Sequence, residues 1–284
     1  MAKDNTNPLS GHFRSPKIYT QLPSAGRYYT SKVVEMPDSN ELPVFPMTAK
    51  DELIMRNPDA LLNGEAVSQV IQSCVPNVKN ARQLLSNDVD ALLLAIQGAS
   101  YGDDIEIKAK CPTCNEEATG SISADAVLQS MSTLEDAYVF EINDLKFEIK
   151  PFTYETTIQA GLTNFQSTRS LQSMAEMPDD LDKLKLFNES FIKLAQLNFT
   201  IMVDVVDNIS LLGDDDEVVV VNDKAQIREF LENCESKIGK EIESRINEVA
   251  DIGVAKEGMF NCEKCDKEFT SAVAYDPVNF FTTS

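Results

Sequence analysis

"CPTCNEEATGSISADAV", residues 111–127, sets two cysteines at C-x-x-C spacing ahead of polar, strand-like sequence. Such a pair can hold a metal, carry out redox chemistry or sit unmodified in a turn, and a tetrahedral zinc site needs two further ligands. The next C-x-x-C is Cys262-Glu-Lys-Cys265, with 147 residues between the pairs. The flanks repeat along with the cysteines. "CEKCDKEFTSAVAYDPV" (262–278) aligns without gaps on 111–127, with identities at both cysteines, Glu117/Glu268, Thr119/Thr270, Asp125/Asp276 and Val127/Val278. Asn115/Asp266 and Ile122/Val273 are conservative pairs.

Ahead of the first pair, Ile105, Ile107 and Ala109 alternate with Glu106, Lys108 and Lys110, the pattern of a half-buried strand. Strand, C-x-x-C turn, strand is a zinc knuckle, in which a tight turn aims both sulfurs at one point. One knuckle supplies two thiolates, so two knuckles face to face complete a four-cysteine site. The expected ligands are Cys111, Cys114, Cys262 and Cys265, and the expected ion is a structural zinc. Ordinary ribbons separate their pairs by ~15–20 residues. The longer separation is tolerable if the insertion folds by itself, because loop-closure entropy grows only logarithmically. Two unmetallated hairpins are the bland alternative. Redox use is disfavoured because a reactive C-x-x-C sits at a helix N-terminus. Four thiolates leave no open position for a catalytic water.

The chain has 284 residues, 43% apolar and 25% charged, the composition of an ordinary globular protein. No stretch reaches the ~20 apolar residues of a membrane span, and the N-terminal sequence lacks a secretory h-region, so the expected location is a cytoplasm. Six cysteines there mean metal ligands or free thiols rather than disulfides. Cys74 and Cys234, among apolar helix-like residues, read as core thiols. A net charge of −21 argues against nucleic acid as a partner. Residues 1–33 nevertheless carry a net +4, leaving −25 on the rest. A basic arm on an acidic body suits docking either on that body or on another protein.

The pattern along the chain predicts an α+β fold, a mainly helical body around the split pair of knuckles. Residues 1–47, rich in proline, read as an extended arm with short strands at 30–36 and 42–47. Residues 48–125 hold helices and the first knuckle, 126–257 an inserted α+β domain, and 258–284 the second knuckle and tail. Thr48-x-x-Asp51 caps a helix that Pro58 stops. A second helix spans 64–75, and Asn87 or Asp88 caps the next. Residues 138–152 read as a hairpin turning at Asn143-Asp144. The longest helical run, 180–206, carries Leu184, Phe187, Phe191, Leu194, Ile201 and Val205 on one stripe, read as core. A second hairpin covers 208–222, with Asp214, Asp215 and Asp216 as its solvated tip. Asn222 or Asp223 then caps a helix, and an amphipathic helix carrying Ile238, Ile242, Ile246 and Val249 ends near Gly253.

No catalytic constellation emerges. The single histidine, His12, lies in the arm, which removes Ser-His-Asp and Cys-His systems, and no phosphate-binding glycine motif is present.

"LPSAGRYY" (22–29), "PVFPMTAKDELIMRNPDALLNGEAVSQVIQSCV" (43–75), "DVDALLLAIQGASYGDDIEIKAKCPTCN" (88–115) and "FNCEKCDKEF" (260–269) together resemble the baseplate hub assembly proteins of T-even-type contractile-tailed bacteriophages. The resemblance covers residues 18–120 and the C-terminal knuckle, with 126–255 matching weakly. It implies a non-enzymatic assembly factor or minor hub component. Its partners would be tail hub and tape-measure proteins, its location the infected cell and the virion baseplate. Two rivals stand beside it. A zinc-ribbon nucleic-acid-associated regulator would need a basic face where Glu116, Glu117, Glu263 and Asp266 lie. A C-x-x-C oxidoreductase would need one low-pKa thiol.

Overall fold

The computed structural model describes residues 7–173, 180–212 and 218–273. It mixes helix and sheet. Among the described residues, helical positions outnumber strand positions, although the strands, all short, are more numerous than the α-helices. Among the described residues no helix is long and apolar enough to cross a membrane. Residues 214–216, expected at a hairpin tip, lie outside the described residues, as do positions 276 and 278 of the repeat.

The N-terminal segment is laid over the body of the protein. Strand β1 (Ile18–Thr20) pairs antiparallel with β2 (Leu42–Val44). The strand expected at 30–36 forms only one bridge, Val34 to Val78, because residues 31–33 turn and direct the Val33 and Val34 N–H groups to the Thr30 carbonyl. Leu22, Val34, Leu42 and Val44 are all buried. Of the arm's tyrosines, read from the sequence as anchors for docking, Tyr28 donates to the Glu135 carbonyl and Tyr29 to Asp88, while Tyr19 is exposed. Residues 14–47 thus make contacts on the chain's own body, while residues 7–13 are exposed.

Helix α1 (Ala49–Met55) opens with the expected capping box between Thr48 and Asp51. Pro58 ends it and also starts α2 (Pro58–Leu62), as the N1 residue behind an Asn57 cap. Helix α3 (Glu65–Cys74) follows, then α4 (Ser86–Tyr101), which is buried on nearly every side over residues 87–97. Neither Asn87 nor Asp88 caps α4. The helix starts at Ser86, and both side chains reach other segments: Asn87 donates to the Val249 and Ile252 carbonyls, and Asp88 accepts from Ser24 N–H and Tyr29. Competition from these long-range bonds outweighs the local cap. A first core gathers α3, α4, the arm, Ile105, Ile107, Phe260 and Val273, joined by Tyr154 and Ile158.

The cysteine-bearing hairpins are β3 (Asp104–Lys110) with β4 (Glu117–Ser123), and β9 (Glu257–Cys262) with β10 (Lys267–Ala272). Between them come α5 (Ala124–Ser130) and a four-stranded antiparallel sheet, in order β5 (Tyr138–Ile142), β6 (Leu145–Ile149), β7 (Val206–Leu212) and β8 (Val218–Val221). The β5–β6 turn is the expected one: Asn143 and Asp144 have φ of 50° and 64°, as a two-residue hairpin turn requires. Helices α6 (Tyr154–Ser173) and α7 (Asp180–Val205) form a long helical hairpin crossing from β6 to β7. Asp223 accepts from Ala225 and Gln226 N–H and so caps α8 (Lys224–Asn233), and α9 (Ser236–Ala250) follows. A second core holds Phe147, Ile149, Val203, Val206, Ile227, Ile242 and Leu134, with Leu85 from the first segment.

One reading is corrected here. Val205 of the α7 stripe is buried, but Leu184, Phe187 and Phe191 are exposed. Only the C-terminal part of α7 reaches the sheet and α8. The apolar period continues past the end of the core it serves there.

Candidate metal centre

The two knuckles have the same backbone. In the first, Asn115 N–H donates to the Cys111 carbonyl at 2.8 Å, and in the second Asp266 N–H donates to the Cys262 carbonyl at 2.8 Å. Asn115 and Asp266, a conservative pair of the repeat, both take the left-handed conformation, with φ of 60° and 52°. Asn and Asp tolerate that region better than other side chains. The turn therefore depends on the residue after the second cysteine as well as on the cysteines.

The hairpins stand close because two strand positions lack a side chain. A Cβ on Gly120 would lie 2.9 Å from the Met259 carbonyl oxygen, and one on Gly258 2.7 Å from Ile107 Cδ1 and 2.9 Å from Val273 Cγ2. Both contacts are shorter than van der Waals distance, so glycine sets the approach of β4 to β9. Phe260, buried, stacks on Phe269 at 5.5 Å between centroids and covers the same junction.

This packing brings all four expected ligands together. Cys111 Sγ lies 3.7 Å from Cys265 Sγ, and Cys114 Sγ lies 3.5 Å from Cys262 Sγ. The four sulfurs fall within 4.8 Å of one another. A tetrahedron of Zn–S bonds of ~2.3 Å has edges of about 3.8 Å, so the donor set and its spacing fit a zinc ion. Cys111 and Cys262 are buried and Cys114 and Cys265 half-buried. None is in a disulfide.

The thiols are not equivalent. The Cys111 thiol is drawn down to about 6, chiefly by the Cys114 backbone N–H directed at its sulfur. Cys265 is pushed up to about 12, first by desolvation and then by the sulfurs around it. Backbone N–H groups aimed at a sulfur stabilise a thiolate, which is what a metal ligand must be. Lys264 and Glu116, one from each knuckle, form an ion pair across the mouth of the site.

The sequence pattern located every cysteine of this cluster. It did not single out Gly120, Gly258, Phe260 or Phe269. The signal for the glycines was available, since a glycine inside a strand marks close backbone approach.

The family model described as T4 bacteriophage base plate protein matches residues 28–282. No curated protein and no solved structure matches the chain. The matched span includes both cysteine pairs, the second core, all of the first core except its Leu22 end, and the long helical hairpin. This chain therefore belongs to the T4 bacteriophage base plate protein family, and with it to the proteins that have a structural or assembly role in a phage baseplate.

Proposed function

We propose that the chain fills its baseplate role as a non-enzymatic hub assembly factor or minor hub component. In this reading it works through protein–protein contacts, and Cys111, Cys114, Cys262 and Cys265 hold one structural zinc in a split, ribbon-like pair of knuckles. The observation that carries it is the convergence of four thiols from two segments, 148 and 154 residues apart, in a baseplate-family chain. An ion there clamps the C-terminal hairpin onto the first core. Binding free energy then becomes folding free energy, because the unfolded chain has no preformed site. The ion's own chemistry is structural, since four thiolates leave it no open position.

The division into 1–47, 48–125, 126–257 and 258–284 belongs to the same proposal, with the contacts of residues 14–47 made on the chain's own body. The partners are tail hub and tape-measure proteins, met in the host cytoplasm during assembly, with retention in the virion baseplate. Glu116 and Glu117 beside the first knuckle and the overall charge of −21 oppose a nucleic-acid partner. The test has two readouts. Metal analysis of purified protein should give one zinc per chain, and co-expression with single hub and tape-measure proteins should give a complex stable to gel filtration. Metal-free protein that folds normally would remove the zinc, and failure with every tail protein would remove the hub role.

A further inference from the structure

Helix α7 carries an apolar surface whose side chains are exposed among the described residues. At 3.6 residues per turn, Leu181, Leu184, Phe187, Phe191 and Ile192 fall within an arc of about 140°. They are 67%, 57%, 49%, 65% and 52% exposed. Between Leu181 and Ala195 the arc contains no charge, since Asp182, Lys183, Lys185, Glu189 and Lys193 all lie outside it. Helix α6 occupies a different side of α7, where Ser190 and, from α6, Ser167 are buried. Leu181, Leu184, Asn188, Phe191 and Ala195 follow one another at spacings of 3, 4, 3 and 4, the seam of a short coiled coil with one polar residue at its centre.

We infer that this face pairs with the same face of a second copy, with the two α7 helices antiparallel about a two-fold axis near Phe187 and Asn188. Three observations select that occupant. The first is charge. The chain carries −21, but residues 161–199 hold four basic and five acidic residues, a net of −1. The hairpin is the part of the molecule where a second copy meets little repulsion. The axis lies 18 residues before Val205, about 27 Å along the helix. Antiparallel pairing therefore holds the acidic bodies at opposite ends, separated by several times the ~8 Å screening length.

The second is the edge of the arc. Lys185 and Glu189 flank it on one side, and in an antiparallel pair like edges face each other. The register that sets Leu184 against Phe191 of the second copy brings Lys185 beside the opposing Glu189, twice by symmetry. Lys185, now 3.4 Å from its own Asp182 in an exposed pair, gives up little in exchange. The two Asn188 amides meet at the axis, where a central asparagine fixes alignment at some cost in stability. The third is area. The five side chains expose on the order of 500 Å² per chain, so two copies bury about 1,000 Å², the lower bound for a specific interface. The dimer is therefore of moderate affinity and reversible.

Sedimentation equilibrium of the full-length, metal-loaded chain tests this. A concentration-dependent dimer is expected, little changed between 0.05 and 0.5 M salt because the acidic bodies stay several screening lengths apart. Phe187→Glu with Phe191→Glu should weaken dimerisation at least tenfold with an unchanged far-UV spectrum. Hydrogen exchange needs no variant, and protection over 181–195 should rise with protein concentration. A chain monomeric at every concentration and salt would overturn the proposal. So would a dimer untouched by the double substitution, protection independent of concentration, or a monomer that binds another tail protein through this face.

Discussion

Cys111 and Cys265 place their sulfurs 3.7 Å apart across 154 residues of chain. Half of the site is therefore useless until the whole insertion between the knuckles has folded. Cys265→Ser should lower zinc content to near zero and destabilise the chain by several kcal/mol, since structural zinc contributes directly to folding. Plasma emission spectrometry and calorimetry on the same sample check it. Zinc loss without a fall in melting temperature would show that the ion does not clamp the fold.

The packing of the hairpins gives a separate prediction. Gly120→Ala places a methyl 2.9 Å from the Met259 carbonyl oxygen, a backbone atom that cannot rotate away. Overpacking of this kind costs about 1–3 kcal/mol. Because β4 and β9 each belong to a hairpin whose turn holds one cysteine pair, the variant should also bind zinc more weakly than the wild type. A competition titration with a chromophoric chelator measures that, and unaltered affinity would separate strand approach from sulfur convergence.

The pattern of residues carried a good deal of this. The knuckles were legible because the repeat covers more than the cysteines, and the turn at Asn143-Asp144 because its backbone demands two left-handed residues. Local chemistry failed where distant partners compete for a side chain. Asp88 looks like a helix cap and is instead committed to Ser24 and Tyr29, more than 50 residues away. The α7 stripe misled differently. Periodicity reports that a face is apolar and says nothing of what covers it, so Leu184, Phe187 and Phe191 read as core with no core beside them.

Asp88 also makes stability depend on pH. Its carboxyl is fully buried, and desolvation raises its pKa from 3.8 to about 6 despite the bonds from Ser24 and Tyr29. A raised acid is protonated in the fold at a pH where the unfolded chain has already lost the proton. Its contribution is therefore full below about 4 and is lost as pH rises through 6. On acidification from pH 7.5 to 5 the wild type should gain about 1.4 kcal/mol from this group, and Asp88→Asn should flatten that part of the curve. Urea titrations at both pH values check it. An identical pH dependence in the variant would assign the effect to the general acidity of the chain.

The arm is the remaining case, and its structure turns a question of partners into one of folding. Arg14 donates to the Pro46 carbonyl at 2.7 Å and to the Ser73 carbonyl and hydroxyl at 2.7 and 2.9 Å, and pairs with the buried Asp51 at 3.4 Å. Further along, Ser24 N–H and Tyr29 are the donors to buried Asp88, and Leu22 is inserted in the first core. Residues 7–13 are exposed throughout. Removing residues 1–12 should accordingly change stability by less than about 1 kcal/mol. Arg14→Ala should cost about 2–3 kcal/mol, because it strips a cation from a buried carboxylate and leaves two carbonyls unpaired. Removing residues 1–30 should abolish cooperative unfolding altogether, since Asp88 would be left buried without a donor and Leu22 would leave a cavity. Calorimetry of the three variants ranks them. A cooperatively folding chain that lacks residues 1–30 would show that the arm is an appendage after all, free to serve another protein.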